Sequence, residues 1–279
     1  MTLILESGLK DFTVSVLIDG ETTAYTVRNG AKLSTAVDAS GNSFGSLNPE
    51  KAGYVFTGWK DENGNTVTGD TIVTDDMTIT AAFAKLMNVN FVAINPKNAD
   101  DTTTQSYTVA EGGKLSAAVA ENGTTLGDAL PTAPEYAGYA FICWQDESGK
   151  TVTSDTIVSG DMTITAVYAE LVKVHFVSVN PANASDTSDE IYTVEKGAQL
   201  SAAKDVDDNP IGENLPEAKA YDGYEFIGWF YKVDDTSNGA EASLTQTIAA
   251  ETYFTANYKK IEACTLTLHD VKPDGTEYT

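Results

Sequence analysis

The sequence predicts an α+β fold repeated in tandem: small modules, each a mixed β-sheet crossed by one short helix, following one another in an elongated array. Three observations predict it. Trp59, Trp144 and Trp229 close the phrases GYVFTGW, GYAFICW and GYEFIGW, and successive copies lie 85 residues apart. Self-similarity at a fixed period is the signature of a repeat architecture. Alternating apolar runs flank each phrase, and a period of two sets one face of a strand against a core. Between them Leu33, Ala36 and Val37, and again Leu115, Ala118 and Val119, fall at helical spacing.

Each copy opens on an alternating strand: Val14, Val16 and Ile18; Val89, Phe91 and Ala93; Val174, Phe176 and Ser178. A polar turn follows, tight in IDGETT and longer in NPKNADDTTTQ and NPANASDTSDE, and a second strand comes at AYTV, SYTV or IYTV. Gly30, Gly113 or Gly197 breaks that strand before the short helix. A helix of one or two turns must lean on the sheet, because isolated helices that short are unstable. An irregular connector rich in Gly and Pro runs past Pro49, Pro134 or Pro216. In the tryptophan strand Tyr54 and Phe56 share a face while Trp59 comes three after Phe56, so a bulge or twist turns the chain near Gly58. NGN, SGK and TSNGA are hairpin signals. They lead to a threonine- and valine-rich strand and then to a last strand, MTITAAF, MTITAVY or TYFTANY. Two strands, a crossing helix and about three more strands resemble a β-grasp arrangement.

The copies divide the chain into residues 12–86, 87–171 and 172–261. Residues 1–11 match no part of the repeat and read as a stub; residues 262–279 restart it and read as an incomplete fourth copy, so the chain looks like a piece of a longer array. The joints AAFAKLMNVNFV and AVYAELVKVHFV contain no flexible linker, which predicts a stiff or semi-stiff rod. Cys264, Leu266 and Leu268 alternate with threonines and give the partial copy an apolar face, a candidate association edge for strand addition.

Charge narrows the partners. With 17 Lys+Arg against 41 Asp+Glu the net charge is −24, which repels nucleic acid and anionic membrane surfaces. The acids are spread over all copies, as a solvating surface would be. No apolar run reaches the roughly 18 residues of a membrane-spanning helix. Cys143 stands where the other copies have Gly58 and Gly228, and Cys264 lies in an alternating strand; both read as buried free thiols, with no matched pair to make a disulfide framework.

Catalytic and metal sets are not found. His175 and His269 sit in first-strand positions, recur in no other copy, and read as surface or interface residues. No nucleophile–base set is shared by the copies and no phosphate-binding loop is present. Asp61, Asn63 and Asn65 begin like a calcium loop, but Gly64 lies inside the turn and no bidentate acid follows at the right distance. The related DESGK turn carries a lysine, and Asp205, Asp207 and Asp208 form a looser cluster; all read as hairpin turns. Lys32 and Lys114 coincide between copies, but an autocatalytic Lys–Asn/Asp isopeptide bond needs a buried lysine, and Gln199 takes the position in the third. No metal or cofactor is therefore expected. The tryptophans, flanked by Gly, Tyr and Phe, read as core in preference to a glycan-stacking platform.

The series YTV, G-x-x-L, GYxFxGW and D-x-T-x-x-A-x-(F/Y) resembles the internalin-type B-repeat family, also called the Listeria–Bacteroides repeat. The match rests on Gly53, Tyr54, Phe56, Gly58, Trp59, Asp76, Thr78 and Ala81; on Gly138, Tyr139, Phe141, Trp144, Asp161, Thr163 and Ala166; and on Gly223, Tyr224, Phe226, Gly228 and Trp229. Cys143 and Glu251 depart from it. The resemblance covers roughly residues 12–261. It implies a β-grasp-like module of bacterial cell-surface proteins, used as spacer or adhesive repeat, with structural motif residues and no catalytic ones. The expected function is a non-enzymatic extracellular stalk and adhesin segment. Its partners would be other repeats of the same protein, further copies of itself, or a host or cell-surface protein or glycan. Two alternatives stand beside it: a filament subunit joined through the incomplete fourth copy, and a glycan- or protein-binding module using the loops at 95–105 and 180–190.

Overall fold

A computed structural model describes residues 10–231 and 239–262. The candidate edge Cys264, Leu266 and Leu268, His269 and nearly all of the N-terminal stub lie outside the described residues. The chain divides into two compact units, Met1–Pro134 with Cys143–Val167, and Glu135–Ile142 with Tyr168–Thr279.

In the first unit β1 (Asp11–Ile18) and β2 (Glu21–Arg28) form an antiparallel hairpin, followed by the two-residue β3 (Val37–Asp38). The tryptophan strand β4 (Tyr54–Asp61) and short β5 (Thr66–Val67) precede β6 (Met77–Asn95). The start of β6 pairs in parallel with β1, Val14 opposite Met77, and antiparallel with β4, Trp59 opposite Ala81. Its later half pairs antiparallel with β7 (Asn98–Ala110), Val89 opposite Tyr107, and β7 with the two-residue β8 (Val119–Ala120). The run MTITAAFAKLMNVNFVAIN contains no glycine or proline, and its buried residues Ile79, Ala81, Met87, Val89, Phe91 and Ala93 all fall on odd positions. The joint read at residues 86 and 87 is thus the middle of one 19-residue strand, with the same parity on both sides.

Strand β9 (Tyr139–Gln145) carries the second tryptophan, and β10 (Met162–Asn180) is again 19 residues long. Within the first unit Met162–Thr165 of β10 lies parallel to Val89–Val92 of β6. In the second unit the rest of β10 pairs antiparallel with β11 (Asn183–Glu195) and parallel with β14 (Thr252–Lys260), Val174 facing Tyr192 and Thr252. The tryptophan strand β12 (Tyr224–Tyr231) pairs with β14, Trp229 opposite Ala256, and with the short β13 (Ala240–Glu241). Phe176, Leu200, Trp229, Ile248 and Phe254 form its core, with Phe176 stacked on Phe254 at 5.1 Å.

The α+β expectation is corrected: the described residues form strands and no α-helix, so the β-grasp-like module with one crossing helix does not form. Each predicted helix is a single 3-10 turn, η1 (Leu33–Thr35), η3 (Leu115–Ala117) and η4 (Leu200–Ala202); η2 (Phe44–Ser46) is a further turn in the first copy. The reason lies where an α-helix would continue: the N–H groups of Asp38, Ala120 and Lys204, which would have to reach back four residues, donate instead to the carbonyls of Asn42, Thr124 and Thr193. Leu33 N–H and Ser34 N–H donate across to the carbonyls of Thr71 and Gly69, both at 2.8 Å. Leu115, Ser116, Leu200 and Ser201 do the same to Thr156, Ser154, Gln246 and Leu244. Ala36 is already extended, at φ −61° and ψ 141°, and Val37 joins β3 opposite Thr26. Leu33 and Ala36 are both buried because a 3-10 turn also brings i and i+3 to one side, so the spacing does not discriminate between the two helix types.

The polar segments NPKNADDTTTQ and NPANASDTSDE are corrected as well. They were expected as loops, yet both are strand, leaving two-residue turns after Asn95 and Asn180. Asn95 Oδ1 accepts the Lys97 N–H and Asn95 Nδ2 donates to Asp101 at 2.8 Å; Asn180 does the same with Ala182 N–H and Asp186. Threonine-rich chain suits an extended backbone, and asparagine closes the turn through its own side chain.

Candidate functional site

The repeated tryptophan phrase is built by a turn, a bulge and a buried ring. Gly53 and Gly223 take φ of 77° and 76° just before the strand, a conformation glycine adopts without strain. The β4–β6 register shifts between Phe56 and Gly58, and the β12–β14 register between Phe226 and Gly228. At these bulges Gly58 has φ 133° and Gly228 φ 145°. Cys143 replaces the glycine in the second copy without a left-handed backbone, since the non-glycine residues of positive φ among those described are Asp19 and Asp208. Its Sγ lies 3.7 Å from Thr151 Oγ1, and it is half-buried.

The bulge sets Tyr54, Phe56 and Trp59 on one face, opposite Lys85, Phe83 and Ala81 of β6, and position along the strand then sorts them. Trp59, Trp144 and Trp229 are buried; Tyr54, Phe141 and Phe226 are exposed, and Phe56, Tyr139 and Tyr224 lie between. Gly138 sits in the turn before β9 with φ 83°, and its carbonyl accepts the Leu171 N–H. Tyr54 lies under the Lys51 ammonium, 4.8 Å from the ring centre, and Lys51 also pairs with Asp19 at 2.7 Å. Trp144 and Trp229 donate their indole N–H to the carbonyls of Pro131 and Pro216, at 2.9 and 2.8 Å. These bonds tie the irregular connector to the strand that follows it. A ring buried and bonded in this way has no free face for a sugar.

Each tryptophan also meets a phenylalanine, and the copies supply it from different places. Trp144 meets Phe91 at 5.1 Å and Trp229 meets Phe176 at 4.9 Å, both from the first strand of their copy. In the first copy that strand position is Val16, which faces Ile79 as Phe91 faces Ile164. There Phe44, in η2, meets Trp59 at 5.0 Å instead. Leu126 and Ile211 hold the position of Phe44 in the other copies, each donating its N–H to the equivalent alanine carbonyl. A large and a small side chain have traded places across one core, which keeps its volume. Aligning Val16, Phe91 and Phe176 with Phe44, Leu126 and Ile211 shows the exchange in sequence alone.

The acidic turns are closed on themselves. Asp61 Oδ1 accepts the N–H of Asn63 at 2.9 Å and of Asn65 at 2.8 Å, and Oδ2 accepts Asn65 Nδ2. The Asn65 side chain, then its backbone N–H, holds the Asp61 carboxyl below its ordinary value. Asp146 is lowered first by the Ser148 hydroxyl, and Asp205 first by the Asn209 N–H. Among the described residues no group of three His, Cys, Asp or Glu side chains is arranged to hold a metal ion. Lys32 and Lys114 are exposed and pair with Asp70 and Asp155 at 2.8 and 2.7 Å, so neither is the buried lysine an isopeptide bond requires.

Two features exceed the sequence reading. Asp76 and Asp161 brace the parallel pairings: Asp76 Oδ1 accepts the Thr13 N–H and Asp161 Oδ1 the Asn88 N–H, both at 2.7 Å. His175, expected at the surface or an interface, is buried and lies between Asp189 and Glu251. The missed signal is the pair of departures from the repeat, His175 and Glu251, which fall together in one copy.

The Listeria-Bacteroides repeat domain profile matches residues 19–82 and 101–167, and a divergent InlB B-repeat domain profile matches residues 216–262. No curated protein matches the chain.

Proposed function

The chain belongs to the B-repeat family of bacterial surface-associated repeat proteins, and from that premise we propose that it is a stalk segment that spaces and displays what lies beyond it and offers adhesive faces along its length. Domains of this family are typically non-catalytic structural modules. No helix among the described residues is long and apolar enough to cross a membrane.

The observation that carries the reading is β6. Its 19 residues serve as the last strand of one sequence copy and the first of the next, at about 60 Å for 3.3 Å per residue. A joint made of ladder hydrogen bonds on both halves resists bending where a flexible linker does not. An adhesive role draws support from the β6–β7 hairpin, whose Asn98–Thr104 stretch is exposed at every residue. Such a surface suits a polar partner, a glycan or a protein, better than an apolar one.

The test is surface display. With the chain placed between a wall anchor and a terminal epitope, antibody access to the epitope is expected to fall when the chain is deleted and to return with an unrelated rigid spacer of equal length. Access unchanged by deletion removes the stalk reading. Saturable binding of the purified chain to host cells or to a glycan array, lost when residues 96–104 are replaced by a short turn, supports the adhesive face.

A further inference from the structure

His175 and Ser178 are the buried side chains classed as polar or charged among the described residues, and His175 is 6% exposed. Strand parity sends Val174 and Phe176 into the core and His175 to the opposite face of β10. There Tyr253 of β14 stacks on the imidazole at 4.2 Å and 11°. Nδ1 lies 2.9 Å from Asp189 Oδ2 on β11, and Nε2 lies 3.0 Å from Glu251 Oε1 just before β14. The Tyr253 hydroxyl donates to the same Glu251 oxygen at 3.0 Å.

A neutral imidazole carries one N–H and one lone pair, whereas an imidazolium carries two N–H groups. With a carboxylate at each nitrogen, the neutral ring turns a lone pair toward one anion, and only the charged ring donates to both. We propose that His175 is a proton-operated clasp: charged, it ties β11 and β14 to β10 from the outer face of the sheet, and on losing its proton it releases one of the two carboxylates and loosens that face.

The other copies lack the clasp at the same register. Val14, Val89 and Val174 begin equivalent parallel pairings, so Ser15 and Asn90 hold the position of His175, and Thr78 and Thr163 that of Tyr253. Asp189 faces Val177 as Thr104 faces Val92 and Thr22 faces Leu17. Asp76 and Asp161 stand where Glu251 does, and there the shorter carboxylate accepts a backbone N–H. The extra methylene of Glu251 carries its oxygen to the ring instead. Substitution at all four positions has turned a fixed brace into one that contains a titratable cation.

The charged and titratable groups facing the ring are Lys173 on its own strand, Asp189 on β11, and Glu251 and Tyr253 at β14. The Tyr253 hydroxyl, then His175, hold the Glu251 carboxyl below its ordinary value, and Lys173 adds to the effect. Glu251 therefore stays ionised through mildly acidic pH. Its share of the stability is lost only as pH falls through its lowered range.

The test uses the whole chain. In a His269→Asn background, imidazole nitrogen NMR is expected to show both ring nitrogens of His175 protonated at about pH 5 and one by about pH 8. In parallel, urea unfolding followed through the tryptophans should lose stability between those pH values, and His175→Asn, which installs the residue of the second copy, should flatten the change. Loss of one hydrogen bond to a charged group corresponds to about tenfold or more in the unfolding constant. If His175→Asn does not fold, Asp189→Asn removes one of the two carboxylates that face the ring and should shrink the same pH dependence. A ring that keeps one protonation state across the range, neutral or charged, overturns the proposal, as does a wild-type profile that runs parallel to the variant's.

Discussion

A core tryptophan with a bonded N–H is sensitive both to loss of volume and to loss of the donor, and the two effects separate by substitution. Trp144→Ala is expected to cost about 3–5 kcal/mol, the range for large aromatics in cores. Trp144→Phe keeps most of the volume but leaves the Pro131 carbonyl without its indole donor, and should cost about 1–3 kcal/mol. Urea unfolding measures both, and a Trp144→Phe chain as stable as the parent would show that the hydrogen bond contributes nothing. The traded phenylalanines predict a coupling. Phe44→Leu alone should destabilise the first copy, and adding Val16→Phe should recover a good part of the loss, because the pair then matches Phe91 with Leu126. A double-mutant cycle that comes out additive would mean the two sites do not share one space. The motif itself was legible in the sequence, but its sorting was not. Tyr54 and Trp59 look alike as aromatics in one phrase; the bulge between Phe56 and Gly58 sets them on one face, and Trp59, opposite Ala81, reaches the core while Tyr54, opposite Lys85, stays exposed.

The 3-10 turns and the hairpins show how little separates alternative elements of the same sequence. Leu33, Leu115 and Leu200 each anchor a turn and are fully buried, so Leu200→Ala should cost about 2–5 kcal/mol although the turn is three residues long. Far-ultraviolet circular dichroism should lack the double minimum of α-helix, and a strong helical signal would contradict the β assignment. Periodicity could not settle the matter, since Leu33 and Ala36 share a side in either helix type. The backbone donors settled it: the Asp38 N–H donates to the Asn42 carbonyl where an α-helix would turn it back to Ser34. The acidic hairpin turns were read for what they are because Asn-Gly and Ser-Gly act locally. Their carboxylates are lowered in the folded chain, so they stabilise it above the ordinary carboxylate range and cease to do so as pH falls through their own lowered values. Asp61→Ala should therefore destabilise the chain at neutral pH and make its acid unfolding less steep, read from melting curves across the acid range.

Over the whole chain the dominant long-range term is charge. A net charge of −24 on 279 residues is self-repulsive, and added salt screens it. The melting temperature is expected to rise as sodium chloride is raised from about 10 mM, where the screening length is about 30 Å, to about 150 mM, where it is about 8 Å. A fall over that range would mean that the surface ion pairs, such as Lys32–Asp70 and Lys196–Glu170, outweigh the repulsion. Exposed pairs of this kind are individually weak, so the net charge should prevail.

By itself the sequence determined the repeat, the first, tryptophan and last strands of each copy, the family and the acidic, linker-free character of the chain. Each of these rests on a local period or on composition, which need no knowledge of what a residue meets across space. Tertiary structure alone decided the rest. It ended each predicted helix after one turn, because the N–H groups of Asp38, Ala120 and Lys204, which would have continued it, donate to Asn42, Thr124 and Thr193 instead. It extended the polar runs after Asn95 and Asn180 into strands, because the partner strands β6 and β10 continue beside them. It also buried His175 between Asp189 and Glu251, residues 14 and 76 positions away in sequence, because strand register is a long-range property that no single strand encodes.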